Sequence, residues 1–118
     1  MTQEQKELLV KDLCARLPYG VKGNFQNSDD KLLRSITIMH RYLEPNGMVM
    51  TGDIKPYLFP ISSMTDEQKE EFDRLYTFDA LIIEPQWELI DWLNKNHIDY
   101  RGLIPMGIAL DATGQNIY

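Results

Sequence analysis

One cysteine in 118 residues, Cys14, excludes an internal disulfide and any multi-cysteine metal site. No apolar run approaches the roughly 18 residues that suggest a membrane span. The opening stretch MTQEQKELLV lacks a basic segment followed by an apolar one, so no secretory signal is expected and the expected compartment is the cytoplasm. His40 and His97 lie far apart, without HxxxH or CxxC spacing, so no metal site is expected. There is no GxSxG elbow for a nucleophilic serine. Gly102 and Gly107 have P-loop separation, but Ile108 and Ala109 follow where a phosphate loop needs Lys and Ser/Thr. No cofactor is implied and no reaction is assigned, which leans the reading away from an enzyme.

Positive charge is scarce in one half only. Residues 1–60 hold 8 Lys/Arg against 7 Asp/Glu, and residues 61–118 hold 4 against 11. The C-terminal half therefore repels nucleic-acid phosphates, and the N-terminal half does not. What remains is ordinary globular composition, 43% hydrophobic and 25% charged. The expectation is a single α+β domain over residues 1–118, long enough to bury roughly 65% of the unfolded surface.

Thr2 with Gln5 reads as a capping box opening a helix. Leu9, Val10, Leu13 and Leu17 share its apolar stripe, and Pro18 ends it near Arg16. Cys14 at the stripe's margin reads as a small packed hydrophobe. From Tyr19 the period becomes two, with Tyr19, Val21, Gly23 and Phe25 on one strand face. Gly20 and Gly23 suggest a bulge or a close backbone contact, and Asn27 to Asp30 a turn. Ile36, Ile38, His40 and Tyr42 alternate as a second strand, and His40 on it reads as a hydrogen-bonded core or edge residue. Pro45-Asn46-Gly47 turns the chain into a third strand from Met48. Pro56 and Pro60 make Ile54–Pro60 an edge strand or an extended wrap.

Thr65 with Gln68 is a second capping box, with Ser62-Ser63 as turn chemistry before it. Phe72, Leu75 and Tyr76 form that helix's inward face. Phe78 to Ile83 is either a buried strand or a packed connection. Pro85 opens a third helix whose apolar face is Trp87, Leu89, Ile90 and Leu93. Trp92 falls on its flank, Asn96 is its left-handed stop, and the helix dipole at His97 favours the protonated ring. Leu103–Met106 reads as a single turn closed by Gly107, Ile108–Leu110 as a last strand, and Asp111–Tyr118 as a frayed tail. The fold expected is an N-terminal helix, a small antiparallel β-meander of three to four strands, and two further helices packed on one face.

Three stretches together resemble a known family: Leu17-Pro18-Tyr19-Gly20-Val21-Lys22; Ile54-Lys55-Pro56-Tyr57-Leu58 through Ser62-Ser63-Met64-Thr65; and Asp91-Trp92-Leu93 through Ile98-Asp99-Tyr100-Arg101-Gly102-Leu103-Ile104. The family is one of small uncharacterised proteins common in gut Bacteroidota genomes and their phages and prophages. The resemblance implies a mobile-element context and supplies no activity, ligand or catalytic residue.

Two surfaces stand out by residue type. Trp92, His97, Tyr100 and Arg101 combine the residues that dominate interface hot spots. Lys31, Arg34, Arg41, Lys55 and Tyr57 combine cations and aromatics on the expected sheet, the recipe of a single-strand platform. The plain alternatives are that Tyr100 and Arg101 brace a turn against the core, and that the sheet residues form a solvated face. The leading expectation is a non-enzymatic binding or adaptor protein acting through protein contacts. Single-stranded nucleic-acid binding, or small-molecule binding or catalysis in a concave pocket, are the alternatives.

Overall fold

The computed structural model describes residues 1–27, 34–81 and 87–118, with backbone alone for 77–81 and 87. Most of the expected turn Asn27–Asp30, the candidate Lys31, Ile82, Ile83, Pro85 and the Trp87 side chain lie outside the described residues. Helix α1 runs Gln3–Arg16. Its capping box is closed: the Gln5 N–H donates to Thr2 Oγ1 at 3.1 Å, and the Thr2 N–H donates to Gln5 Oε1 at 3.0 Å. These bonds satisfy donors that a helix start otherwise leaves orphaned. Thr2→Ala is expected to lower stability by about 1 kcal/mol in urea unfolding. After Arg16 a 3-10 turn over Leu17–Tyr19, with Pro18 inside it, closes on Gly20 at φ 70°. Leu9 and Leu13 are buried as the stripe predicts, whereas Cys14 is exposed rather than packed.

Strand β1 spans Lys22–Phe25, β2 Ile36–Thr37 and β3 Ile54–Pro60. β1 lies between the other two, antiparallel to both. Gly23 is required where it crosses β3, because a Cβ there would come 2.8 Å from Ile54 Cγ2 and 2.9 Å from the Lys55 carbonyl. The expected second strand stops early. Beyond Thr37 the Ile38 N–H donates to the Val21 carbonyl, just before β1, and His40–Leu43 winds into a 3-10 turn with His40 exposed. Ile38 and Leu43 are both buried, a spacing of five that a straight strand would place on opposite faces. Met48–Thr51 also turns, burying Val49 and Met50, so the third strand begins at Ile54 and not at Met48.

Helices α2, Asp66–Leu81, and α3, Trp87–Lys95, follow; then come β4, Ile98–Asp99, and β5, Leu110–Asp111. The described part of the Phe78–Ile83 run is therefore helix as far as Leu81. The sheet is mixed, not an antiparallel meander: β4 and β5 both pair with β3 in parallel. Parallel neighbours need a long crossover, and α2 with α3 supplies it between β3 and β4. The expected edge strand is thereby the central one. Its prolines are tolerated because the ladder to β4 uses the Phe59 N–H, which donates to the His97 carbonyl at 2.8 Å. Donors of alternate residues point to opposite sides of a strand, so Pro56 and Pro60 leave that bond intact.

Two hydrophobic clusters result. The larger joins α1, the sheet and the C-terminal turns through Leu9, Leu13, Val21, Ile54, Leu58 and Leu103, all at most 1% exposed. The smaller gathers Leu75, Leu89, Leu93 and Ile98 under α2 and α3. Among the described residues no helix is long and apolar enough to cross a membrane.

Candidate functional site

The stretch from Trp92 to Arg101 crosses between the two clusters, and its residues separate into two environments. His97, Tyr100 and Arg101 turn inward. His97 follows α3 at φ 58° and is only 7% exposed, so it takes the left-handed position expected of Asn96. Its ring stacks on Tyr118, centroids 3.8 Å apart and planes 13° from parallel. Burial, then the charges of Arg16 and Lys22, lower its pKa to about 4. The protonated ring expected from the helix dipole is therefore the disfavoured form: desolvation and two cations outweigh the partial charge of a helix end.

Tyr118 explains part of that burial and corrects the expectation of a frayed tail. Its hydroxyl donates to the Tyr57 carbonyl at 2.7 Å and accepts from the Lys22 N–H at 2.9 Å. The residue as a whole is 43% exposed, but its hydroxyl is held between two backbone groups. Burial pushes that phenol up to about 12, against smaller opposing effects of the Lys22 backbone and Arg16. The Ala112 N–H donates to the Leu58 carbonyl, fixing the chain just before the tail.

Tyr100 and Arg101 belong to a charge network centred on Asp12. Arg16 and Asp12 are both fully buried, and form a two-pronged pair with Nε to Oδ2 at 2.8 Å and Nη2 to Oδ1 at 3.1 Å. Arg16 Nη2 also donates to the Ile98 carbonyl at 2.7 Å. Arg101 Nε reaches Asp12 Oδ1 at 3.2 Å, so one carboxylate holds two guanidinium groups. Both guanidinium groups lie over the Tyr100 ring, at 5.3 and 5.0 Å from its centroid, where the ring's negative face attracts cations. The Tyr100 hydroxyl donates to Asn94 Oδ1 at 3.0 Å. Asp99 caps the following turn through the Leu103 and Ile104 N–H groups, both at 2.9 Å. The arrangement ties α1 of the large cluster to β4 of the small one, so Tyr100 and Arg101 brace the turn. Asp12 and Arg16 do not stand out by residue type in the sequence. The available signal was their i, i+4 spacing on the stripe that Leu9 and Leu13 occupy.

Trp92 faces the other way. It is half-buried and lies 6.4 Å from Phe72, tilted by 56°. Phe72 in turn stacks on Tyr76, at 6.2 Å and 13°. Tyr76 was expected inside but is 54% exposed. An aromatic row thus runs outward from the small cluster across α2 and α3. The exposed charges of these two helices are mainly acidic: Asp66, Glu67, Glu70, Glu71 and Asp73 of α2 and Glu88 and Asp91 of α3, against Lys69, Arg74 and Lys95. The chain matches no protein-family model, no curated protein and no solved structure.

The alternative surface is dispersed in character. Arg34 is exposed; Arg41 is exposed with its guanidinium 5.3 Å from the Tyr42 ring centroid. Lys55 is half-buried on β3. Tyr57 is 3% exposed and its hydroxyl accepts from Asn24 Nδ2, so its ring offers no face for a base to stack on. Among the described residues no three His, Cys, Asp or Glu side chains are grouped to hold a metal ion.

Proposed function

We propose that this chain is a non-enzymatic binding protein of the cytoplasm that captures a basic segment of another protein on the aromatic row of α2 and α3. The observation that carries the reading is the exposed Tyr76, stacked on Phe72 and continued by Trp92, on two helices whose exposed charges are mainly acidic. Aromatic faces attract Lys and Arg, and surrounding carboxylates both steer such a partner and reject acidic ones. Tyr and Trp are also the side chains that most often concentrate binding energy. A mobile-element origin rests on the resemblance of the three sequence stretches. Single-strand binding has less support, because the aromatic it relies on, Tyr57, is buried.

Peptide-display selection on the immobilised chain tests this reading. Recovered peptides are expected to carry clustered Lys or Arg, and Tyr76→Ala to weaken their binding by about tenfold. Tyr76 is on the surface, so folding should be unaffected by the change. Recovery of peptides without basic residues, or equal binding by Tyr76→Ala, would defeat the proposal.

A further inference from the structure

A cleft of about 420 Å³ that includes no residue of α2 or α3 opens between α1, the turns before β3 and the turn at Met106–Ile108. Its floor is Leu9, Val49, Ile54 and Ile108 of the large cluster, each at most 5% exposed, and the exposed Met1 and Met106 line it beside the polar Gln5 and Thr51. Lys6 from α1 and Lys55 from β3 are the charged side chains lining it, and no carboxylate does. In a chain of net charge −6 that is a local inversion of sign. Both lysines are half-buried, and neither forms an ion pair among the described residues. The carboxylate nearest Lys55 in sequence, Asp53, is engaged elsewhere, accepting from Thr51 Oγ1 at 3.0 Å and Asn27 Nδ2 at 3.1 Å. Gly52 and Gly107 complete the wall at φ 85° and 78°, with open space where a Cβ would stand, so the cleft is not closed by side chains there. A neighbouring groove of about 470 Å³, on the other flank of α1, is more apolar but carries Glu7 beside Lys6 and Lys11 and so shows no such preference of charge.

We infer that this cleft binds a small molecule made of one anionic group on an apolar body, with Lys6 and Lys55 holding the anion and the exposed Met1 and Met106 of the lining covering the body. The volume lies in the range of small-ligand sites, and the lining is mixed, with two charged side chains among apolar and neutral polar groups. A partly desolvated ammonium without a partner binds an anion more strongly than one in water, since opposite charges interact more strongly where water is excluded. Met1 and Met106, both exposed, add affinity in proportion to the apolar surface a ligand covers. A carboxylate and a phosphate monoester share this chemistry, and the cleft accepts either. The inference is independent of the aromatic row, which lies on other helices.

The test is an amide NMR titration of the full chain with decanoate, decyl phosphate, decanol and inorganic phosphate. Decanoate or decyl phosphate, or both, should shift the Gly52 and Gly107 signals and bind about tenfold more tightly than decanol. Inorganic phosphate alone should bind more weakly than either. The K6Q/K55Q double variant should bring the anions down to the affinity of decanol while leaving decanol unchanged. Absence of binding by both anionic probes overturns the inference. So do equal affinities for decanol and the anions, inorganic phosphate binding as tightly as they do, or shifts confined to residues outside the cleft. The comparison of probes on the unaltered chain decides the matter even if the double variant does not fold.

Discussion

Arg16→Ala is expected to cost about 3–5 kcal/mol, because it leaves the Asp12 carboxylate buried with only the more exposed Arg101 to answer it. Asp12 has no exposure, and the side chain of Arg101 is 22% exposed. The substitution also frees the Ile98 carbonyl and empties the space over Tyr100. An unsatisfied buried acceptor is itself penalised. A loss of that size is a large part of the 5–15 kcal/mol that holds a domain of this kind together. The pair itself contributes less than its rupture costs. Two charges withdrawn from water recover their desolvation penalty only through each other, so an apolar pair of similar volume performs about as well. The double variant Asp12→Leu with Arg16→Met should therefore be markedly more stable than Arg16→Ala alone. Urea unfolding of the three proteins measures both differences. A single variant no worse than the double one would mean that Asp12 reaches water or another cation, against the geometry described.

Acid should unfold the chain through His97. The ring's folded pKa, about 4, lies below the ordinary 6.5. The unfolded chain therefore binds the extra proton first. The stability that the neutral ring preserves is complete above about pH 6.5 and is lost as the pH falls from there towards 4. Below that the folded form is protonated as well and the slope vanishes. At about 1.4 kcal/mol per pH unit, the loss between about pH 7.5 and about pH 4.5 comes to about 2.5 kcal/mol. The groups that make the proton unwelcome come from separate elements: Arg16 on α1 and Lys22 on β1. Stacking on Tyr118 shields the ring from the water that would solvate its charge. His97→Gln should lower stability at neutral pH, since a side chain at φ 58° and a stacked ring are disturbed, but should reduce the acid dependence by about 2 kcal/mol. Carboxylates titrating in the same range are common to both proteins and cancel in the comparison. Parallel acid curves for the two proteins would refute the assignment.

The helical parts of the fold were legible because their determinants are local. Thr2 and Gln5, and Thr65 and Gln68, close their capping boxes within three residues. Pro18 ends α1 beside Arg16, and Leu9 and Leu13 face inward at helical spacing. The buried Leu89 and Leu93 of α3 follow from the same periodicity. Each of these facts depends on hydrogen bonds or side chains one turn apart. Trp92 was marked as a flanking aromatic for the same reason, since a helical wheel shows which residue fits neither face. Its continuation to the exposed Tyr76 was not visible, because it requires knowing how α2 and α3 lie side by side.

The sheet and the charges were decided by tertiary structure. Strand alternation in Ile36–Tyr42 describes a chain that pairs for two residues and then bends, because Ile38 and Leu43 are drawn into one core. Pro56 and Pro60 marked an edge, yet β3 is central, since its partners lie far along the chain and the bond to β4 uses the Phe59 N–H rather than a proline nitrogen. Asp12, Arg16 and Arg101 are three ordinary charges until burial and Ile98 bring them to one point. His97 follows the same logic: position at a helix end favours its proton, and removal from water beside two cations reverses the sign. Local chemistry alone was enough to place both ends of α1 and the start of α2, the buried Leu9, Leu13, Leu75, Leu89 and Leu93, and the excess of acid in the second half. Only the folded chain decided which strands meet, which charges lose their water, and that the acidic half displays an aromatic row while the other half opens a lysine-lined cleft. Backbone capping and periodicity act within a few residues, whereas pairing and desolvation depend on whatever the rest of the chain packs against them.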